Sequence, residues 1–238
     1  MIRLTPLEDL RAPPRRVILH WTGGRRSSTS YERTRYNLLL EERDDDAPRW
    51  VPGVPVDRNM ARIIDTPPAH RDPMRGYAAH TGGFNSFSIG VAVCGMADAW
   101  DYRPTGQVDP GLYPITRAQV EELVRGLAVL LQAYGLEPVK KQLFDHWEAE
   151  HLHGVSQRRG VWDLQWLPGL DLNRGEFGFW IRERVAEVMA GRVAVSVMRE
   201  LTLPPEELAR PKVSLRRPDQ RWRERIRQKL LMPLRSQR

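Results

Sequence analysis

Ser88-Ile89-Gly90-Val91-Ala92-Val93-Cys94 carries no charge and a single hydroxyl. A strand with one wet face alternates apolar and polar residues. This one does not, so it predicts a central strand buried on both faces. Further elements follow outward from it. Arg16-Val17-Ile18-Leu19-His20-Trp21 is β-branched and leucine-rich and predicts a strand that ends in a histidine beside the Thr22-Gly23-Gly24 turn. Tyr36 to Glu41 predicts another, closed by Arg43-Asp44-Asp45-Asp46, and residues 138 to 146 predict one that delivers His146. Residues 47 to 75 are rich in Pro and Arg and predict a long loop with a short strand or two. Residues 97 to 114 carry Gly and Pro repeatedly and read as loop.

Two helices complete the pattern. Thr116 to Tyr134 places Val120, Leu123, Val124, Leu127, Leu131 and Tyr134 on one stripe, with Thr116 and Gln119 as a capping box and Gly135 as the stop. Asn173 to about Met198 turns Phe177, Trp180, Ile181, Val185 and Val188 inward. Strands mixed with helices predict an α/β (α+β) fold, a central mixed sheet flanked by helices. The expected organisation is a leader over residues 1 to 14, one domain over 15 to 200, and a Pro-interrupted basic tail over 201 to 238.

Of 238 residues, 41% are hydrophobic and 28% charged, ordinary for a globular chain. No stretch has the run of apolar residues that spans a bilayer. The first ten residues lack the continuous apolar core of a secretory signal, so the expectation is cytoplasmic synthesis, with any action on a cell wall following release. The net charge of +7 is confined to the end. Residues 202 to 238 hold eleven Lys/Arg against four Asp/Glu, which leaves residues 1 to 201 neutral at 26 against 26. A basic helix over Asp219 to Leu231, with Trp222, Ile226 and Leu230 on one face, would suit an anionic surface; a solvated tail is the plainer reading. The neutral remainder argues against a nucleic-acid-binding protein and leaves no specific nucleic acid as a partner. Cys94 lies in the apolar strand and reads as a small buried hydrophobe.

Three segments carry chemistry. They are Arg16 to Gly24, Ala79-His80-Thr81-Gly82-Gly83-Phe84-Asn85-Ser86-Phe87-Ser88-Ile89-Gly90, and Phe144-Asp145-His146-Trp147-Glu148 with the later Arg159-Gly160-Val161-Trp162-Asp163. Spacing alone does not bring His20 and His146 together. The middle segment resembles the "His-x-Gly-Gly-x-Asn-x-x-Ser-Ile-Gly" strand of the zinc N-acetylmuramoyl-L-alanine amidases, a family that includes phage amidase-type lysozymes and the peptidoglycan recognition proteins. The first segment resembles that family's opening "His-x-Thr" strand, and Tyr36-Asn37-Leu38 its "Tyr-His-Phe-x-Ile" strand. The His146 segment resembles its "His-x-Glu" ligand, and Arg-Gly-Val-Trp-Asp the last-ligand segment of prophage-encoded members.

The resemblance covers residues 14 to 182 and implies a peptidoglycan hydrolase of the endolysin kind. Its substrate would be the amide between N-acetylmuramic acid and L-alanine of the stem peptide. It implies Zn2+ held by His20, His146 and Asp163, with water in the fourth position. His151 and His153 are the alternative third ligands. Tyr36 would assist as a base or hydrogen-bond donor. His80, Asn85 and Thr22 would line the substrate groove. Glu148, on the His146 face of a strand, would orient that ligand from behind, or be a surface charge. One departure stands out. Many catalytic members carry a lysine two residues before the last ligand, at the oxyanion. Here that position is Val161, so Arg159 or Arg158 would have to supply the donor. The alternative is a non-catalytic module that binds peptidoglycan.

Overall fold

The computed structural model describes residues 2, 4–43, 47–63, 76–102, 107–151, 154, 163–170, 172 and 175–192. All belong to the first of two units, Met1–Arg199 and Glu200–Arg238. The basic tail, Arg158, Arg159, Val161 and His153 lie outside the described residues.

Among the described residues, seven strands and four α-helices follow in chain order: β1 Arg16–Trp21, α1 Ser30–Arg33, β2 Leu38–Glu41, β3 Arg49–Pro52, β4 Ser88–Val93, β5 Trp100–Tyr102, β6 Gln107–Asp109, α2 Arg117–Ala133, β7 Leu143–Asp145, α3 His146–His151 and α4 Glu176–Met189. Five strands form one sheet in the order β3-β2-β4-β1-β7. The β2–β4, β4–β1 and β1–β7 pairs are parallel and β2–β3 is antiparallel, so the sheet is mixed, as the sequence predicts. Every residue of β4 is buried. That is why its sequence shows no alternation: one face cannot be told from the other when both are dry.

α2 begins and ends where the sequence places it. Thr116 Oγ1 accepts the Gln119 N–H at 3.0 Å, and Gln119 Oε1 accepts the Thr116 N–H at 3.0 Å. Gly135 takes φ 64°, a left-handed stop natural to glycine. The predicted stripe is buried throughout. α2 packs against α4 and against β2. Where Trp50 crosses it, Gly126 leaves the space: a Cβ there would lie 2.6 Å from Trp50 Cε2.

Four expectations need correction. The second strand starts at Leu38 instead of Tyr36; the Tyr36 carbonyl accepts the N–H of Val54, just past the end of β3. Only Leu143–Asp145 of the 138–146 run is strand, and His146 opens a helix. Residues 97 to 114 are more than loop, since β5 and β6 pair as a small antiparallel hairpin. The last helix begins at Glu176, after Gly175 at φ 82°, and ends at Met189 with Ala190 as its C-cap.

Candidate metal centre

The site sits at the carboxyl ends of β1 and β7. Side chains alternate along a strand, so Ile18 and His20 share one face of β1, opposite Val17 and Leu19. In register with Ile18 lie Gly90 on β4 and Phe144 on β7. Ile18, Phe144 and Ala149 of α3 form an apolar floor, with Phe84 packed on it. His20 stands above that floor, 1% exposed.

His146 reaches the same place from the first turn of α3. The local sequence explains the helix start. Asp145 Oδ1 accepts the Glu148 N–H at 2.8 Å and Glu148 Oε2 accepts the Asp145 N–H at 3.3 Å, a reciprocal cap of the Asp-x-x-Glu kind. Arg182 clamps the same Glu148 carboxylate. Glu148 therefore does not share a strand face with His146, and it is no surface charge. It is buried and holds the helix that carries the histidine.

Asp163 closes the set. Its Oδ2 lies 3.1 Å from His20 Nδ1 and 3.1 Å from His146 Nδ1. These three residues are the one group among the described residues whose donor atoms, all within 4.8 Å of one another, suit a metal. His151 does not join them. Its ring stacks on Trp147 at 4.0 Å and its Nδ1 lies 2.9 Å from the Trp147 carbonyl oxygen.

The electrostatics match a cation's place. Burial holds the His20 imidazole down to about 4 despite the nearby Asp163, so the ring is neutral near pH 7. Burial opposes ionisation of Asp163, but hydrogen bonds with His146 and His20 outweigh it and hold the carboxyl near 2. The set offers two imidazole nitrogens and one carboxylate oxygen. Ligands about 2.0–2.1 Å from zinc in a tetrahedron stand about 3.3 Å apart, close to both observed separations. The residues fit the ion.

Behind His20 stands a buried second layer. His20 Nε2 lies 3.3 Å from His80 Nδ1 and 3.3 Å from Thr81 Oγ1. His80 packs flat on Gly90, where a Cβ would fall 2.5 Å from its Cγ. Burial, and then His20, hold the His80 imidazole well below its ordinary range. His80 thus backs His20 in the interior; it does not line an open groove. Asn85 is likewise turned inward, with Oδ1 accepting the N–H groups of His80 at 3.0 Å and Thr81 at 2.9 Å. Thr22 Oγ1 accepts the N–H groups of Gly24 and Gly95, both at 3.2 Å. Asn85 and Thr22 thus bind the site's own backbone N–H groups, while His80 stands behind His20. Tyr36 does face the site, its ring 5.2 Å from that of His20. Burial, and then Asp163, push its phenol above the ordinary value, so it keeps its proton.

A model of the N-acetylmuramoyl-L-alanine amidase family matches residues 10–162, more than half of the chain. The chain belongs to that family. No individual curated protein matches it. The matched span holds His20, Tyr36, His80, Asn85 and His146 and stops one residue before Asp163. The amidase resemblance pointed to all three residues, Asp163 included; that their donor atoms come together is visible only in three dimensions. Sequence reading missed Thr81, Arg35 and Gln165. Thr81 was flagged by its motif neighbours. Arg35, whose charge opposes protonation of His20 and His80, adjoins Tyr36 but carries no motif of its own. Gln165 has no sequence signal at all.

Proposed function

We propose that this amidase-family chain is a zinc-dependent hydrolase of the amide between muramic acid and L-alanine. The observation that supports it is the convergence of two histidine Nδ1 atoms on one Asp163 oxygen, at 3.1 Å each, on the amidase scaffold. His20, His146 and Asp163 would hold the ion. When bound there, zinc supplies a Lewis acid and a water acidified to near neutral pH.

The chain's own residues do the rest. His80 and Thr81 stand against the far nitrogen of His20 and fix its ring orientation, leaving Nδ1 aimed at the site. Tyr36 retains its phenolic proton and donates it as a hydrogen bond to the oxygen that gains charge as the amide carbon becomes tetrahedral. A protonated phenol is a poor general base, so of the two roles the sequence leaves open, donation is the one adopted. Arg159, or Arg158, remains the proposed second donor in place of the lysine that Val161 replaces. The Arg-Gly-Val-Trp-Asp run supports an endolysin of prophage type, with the basic tail as a wall or membrane attachment that salt would screen.

The test uses purified cell walls and the full chain. Free L-alanine amino termini should appear without new reducing ends, stop on chelation and resume with zinc. Val161→Lys should raise the rate and Arg159→Ala lower it. New reducing ends would mean glycosidic cleavage. Retention of muropeptides with no release of either kind would establish the binding module instead.

A further inference from the structure

The Gln165 side chain is 3% exposed and its hydrogen bonds go to three parts that frame the site. Its Nε2 donates to the main-chain carbonyl of Asp163 at 3.1 Å and to Asp145 Oδ2 at 3.4 Å. Its Oε1 accepts the Gly175 N–H at 2.7 Å. Asp145 ends β7 and caps the helix that starts with His146, and Gly175 precedes α4. One amide therefore joins the carboxylate's own segment to the strand end beside the second histidine and to the start of the last helix.

The backbone between Asp163 and Gln165 makes such a tie necessary. Leu164 is fully buried and takes φ 58°. A bulky residue rarely adopts this left-handed conformation, and it persists only where the surroundings over-determine it. Here the Leu164 side chain is fixed in the core, and the Gln165 amide spans the turn to grip the Asp163 carbonyl. Asp163 lies in a turn, outside any strand or helix, so no ladder of backbone bonds sets its direction.

We propose that Gln165 is a positioning residue for the third ligand. It acts through the Asp163 main chain to fix where Oδ2 meets His20 Nδ1 and His146 Nδ1. This rests on the reading of those three residues as metal ligands.

The test compares wild type with Gln165→Glu and Gln165→Met in the full chain. The glutamate keeps the size and the acceptor for Gly175 but loses the donor to Asp163. The methionine loses both. Zinc affinity is measured by competition with a chromophoric chelator, and ligand geometry by the visible absorption of the cobalt-loaded protein. Thermal unfolding of the metal-free chains confirms that each is folded, and the glutamate variant decides the matter if the methionine variant is not. Both substitutions should weaken zinc about ten- to a hundred-fold and alter the cobalt bands. Folded variants with wild-type affinity and wild-type bands would overturn the role of Gln165 alone. A wild type that takes up no metal would overturn the ligand reading and this proposal with it.

Discussion

Arg182 on α4 grips Glu148 on α3 with two nitrogens, Nη1 to Oε2 at 2.8 Å and Nη2 to Oε1 at 2.9 Å, and the two side chains are 11% and 1% exposed. Removing one partner of such a pair leaves a charge stranded in low dielectric. Arg182→Ala should therefore cost about 3–5 kcal/mol in urea unfolding, whereas Arg182→Met combined with Glu148→Gln should recover most of it. A loss under about 1 kcal/mol for Arg182→Ala would mean that water reaches Glu148.

Metal content separates Asp163 from His151 as the third ligand. After zinc loading and desalting, His20→Ala, His146→Ala and Asp163→Ala should each lose the ion, and His151→Ala should keep it. The His151 ring is engaged with Trp147 through stacking and through its Nδ1. Metal lost from the His151 variant and kept by the Asp163 variant would reverse the assignment.

The metal-free protein should weaken in mild acid. His20 has a pKa near 4 in the fold against an ordinary 6.5. Below pH 6.5 the unfolded chain binds the extra proton and the folded chain does not, so stability falls with pH until about 4. That interval is worth about 3 kcal/mol. His80 acts in the same direction. Asp163, held near 2 against 3.8, contributes stability that is present above 3.8 and lost toward pH 2. His20→Gln should make the decline between pH 6.5 and 4 shallower in chemical unfolding of chelated protein. An unchanged slope would remove His20 as its source.

Gly90→Ala probes the layer behind the ligands. The new methyl would meet the His80 ring, which cannot swing aside within a packed interior. The expected loss is about 1–3 kcal/mol, with weakened zinc binding because His80 supports His20. Wild-type zinc affinity in this variant would show that His20 is oriented without His80.

Local patterns in the chain determine much of this molecule. The all-apolar run at Ser88 needs a sheet dry on both faces. The stripe from Val120 to Leu131 with its Thr116–Gln119 cap permits only an amphipathic helix. The ordered motifs around His20, His80 and His146 mark the amidase family, because each combines residue types at short spacing that a strand or turn enforces. Where order depends on long-range partners, sequence says less. Residues 138 to 142 look like strand, yet the reciprocal Asp145–Glu148 cap and the Arg182 clamp turn His146 onto a helix. His80 and Asn85 look like groove residues, yet Gly90 and the loop's own N–H groups draw them inward. Asp163 stands 143 residues from His20 and 17 from His146, and only the chain's closure through Leu164 and Gln165 sets its oxygen between their rings. No periodicity encodes that contact, because it is made by hydrogen bonds between segments that are neighbours only after folding.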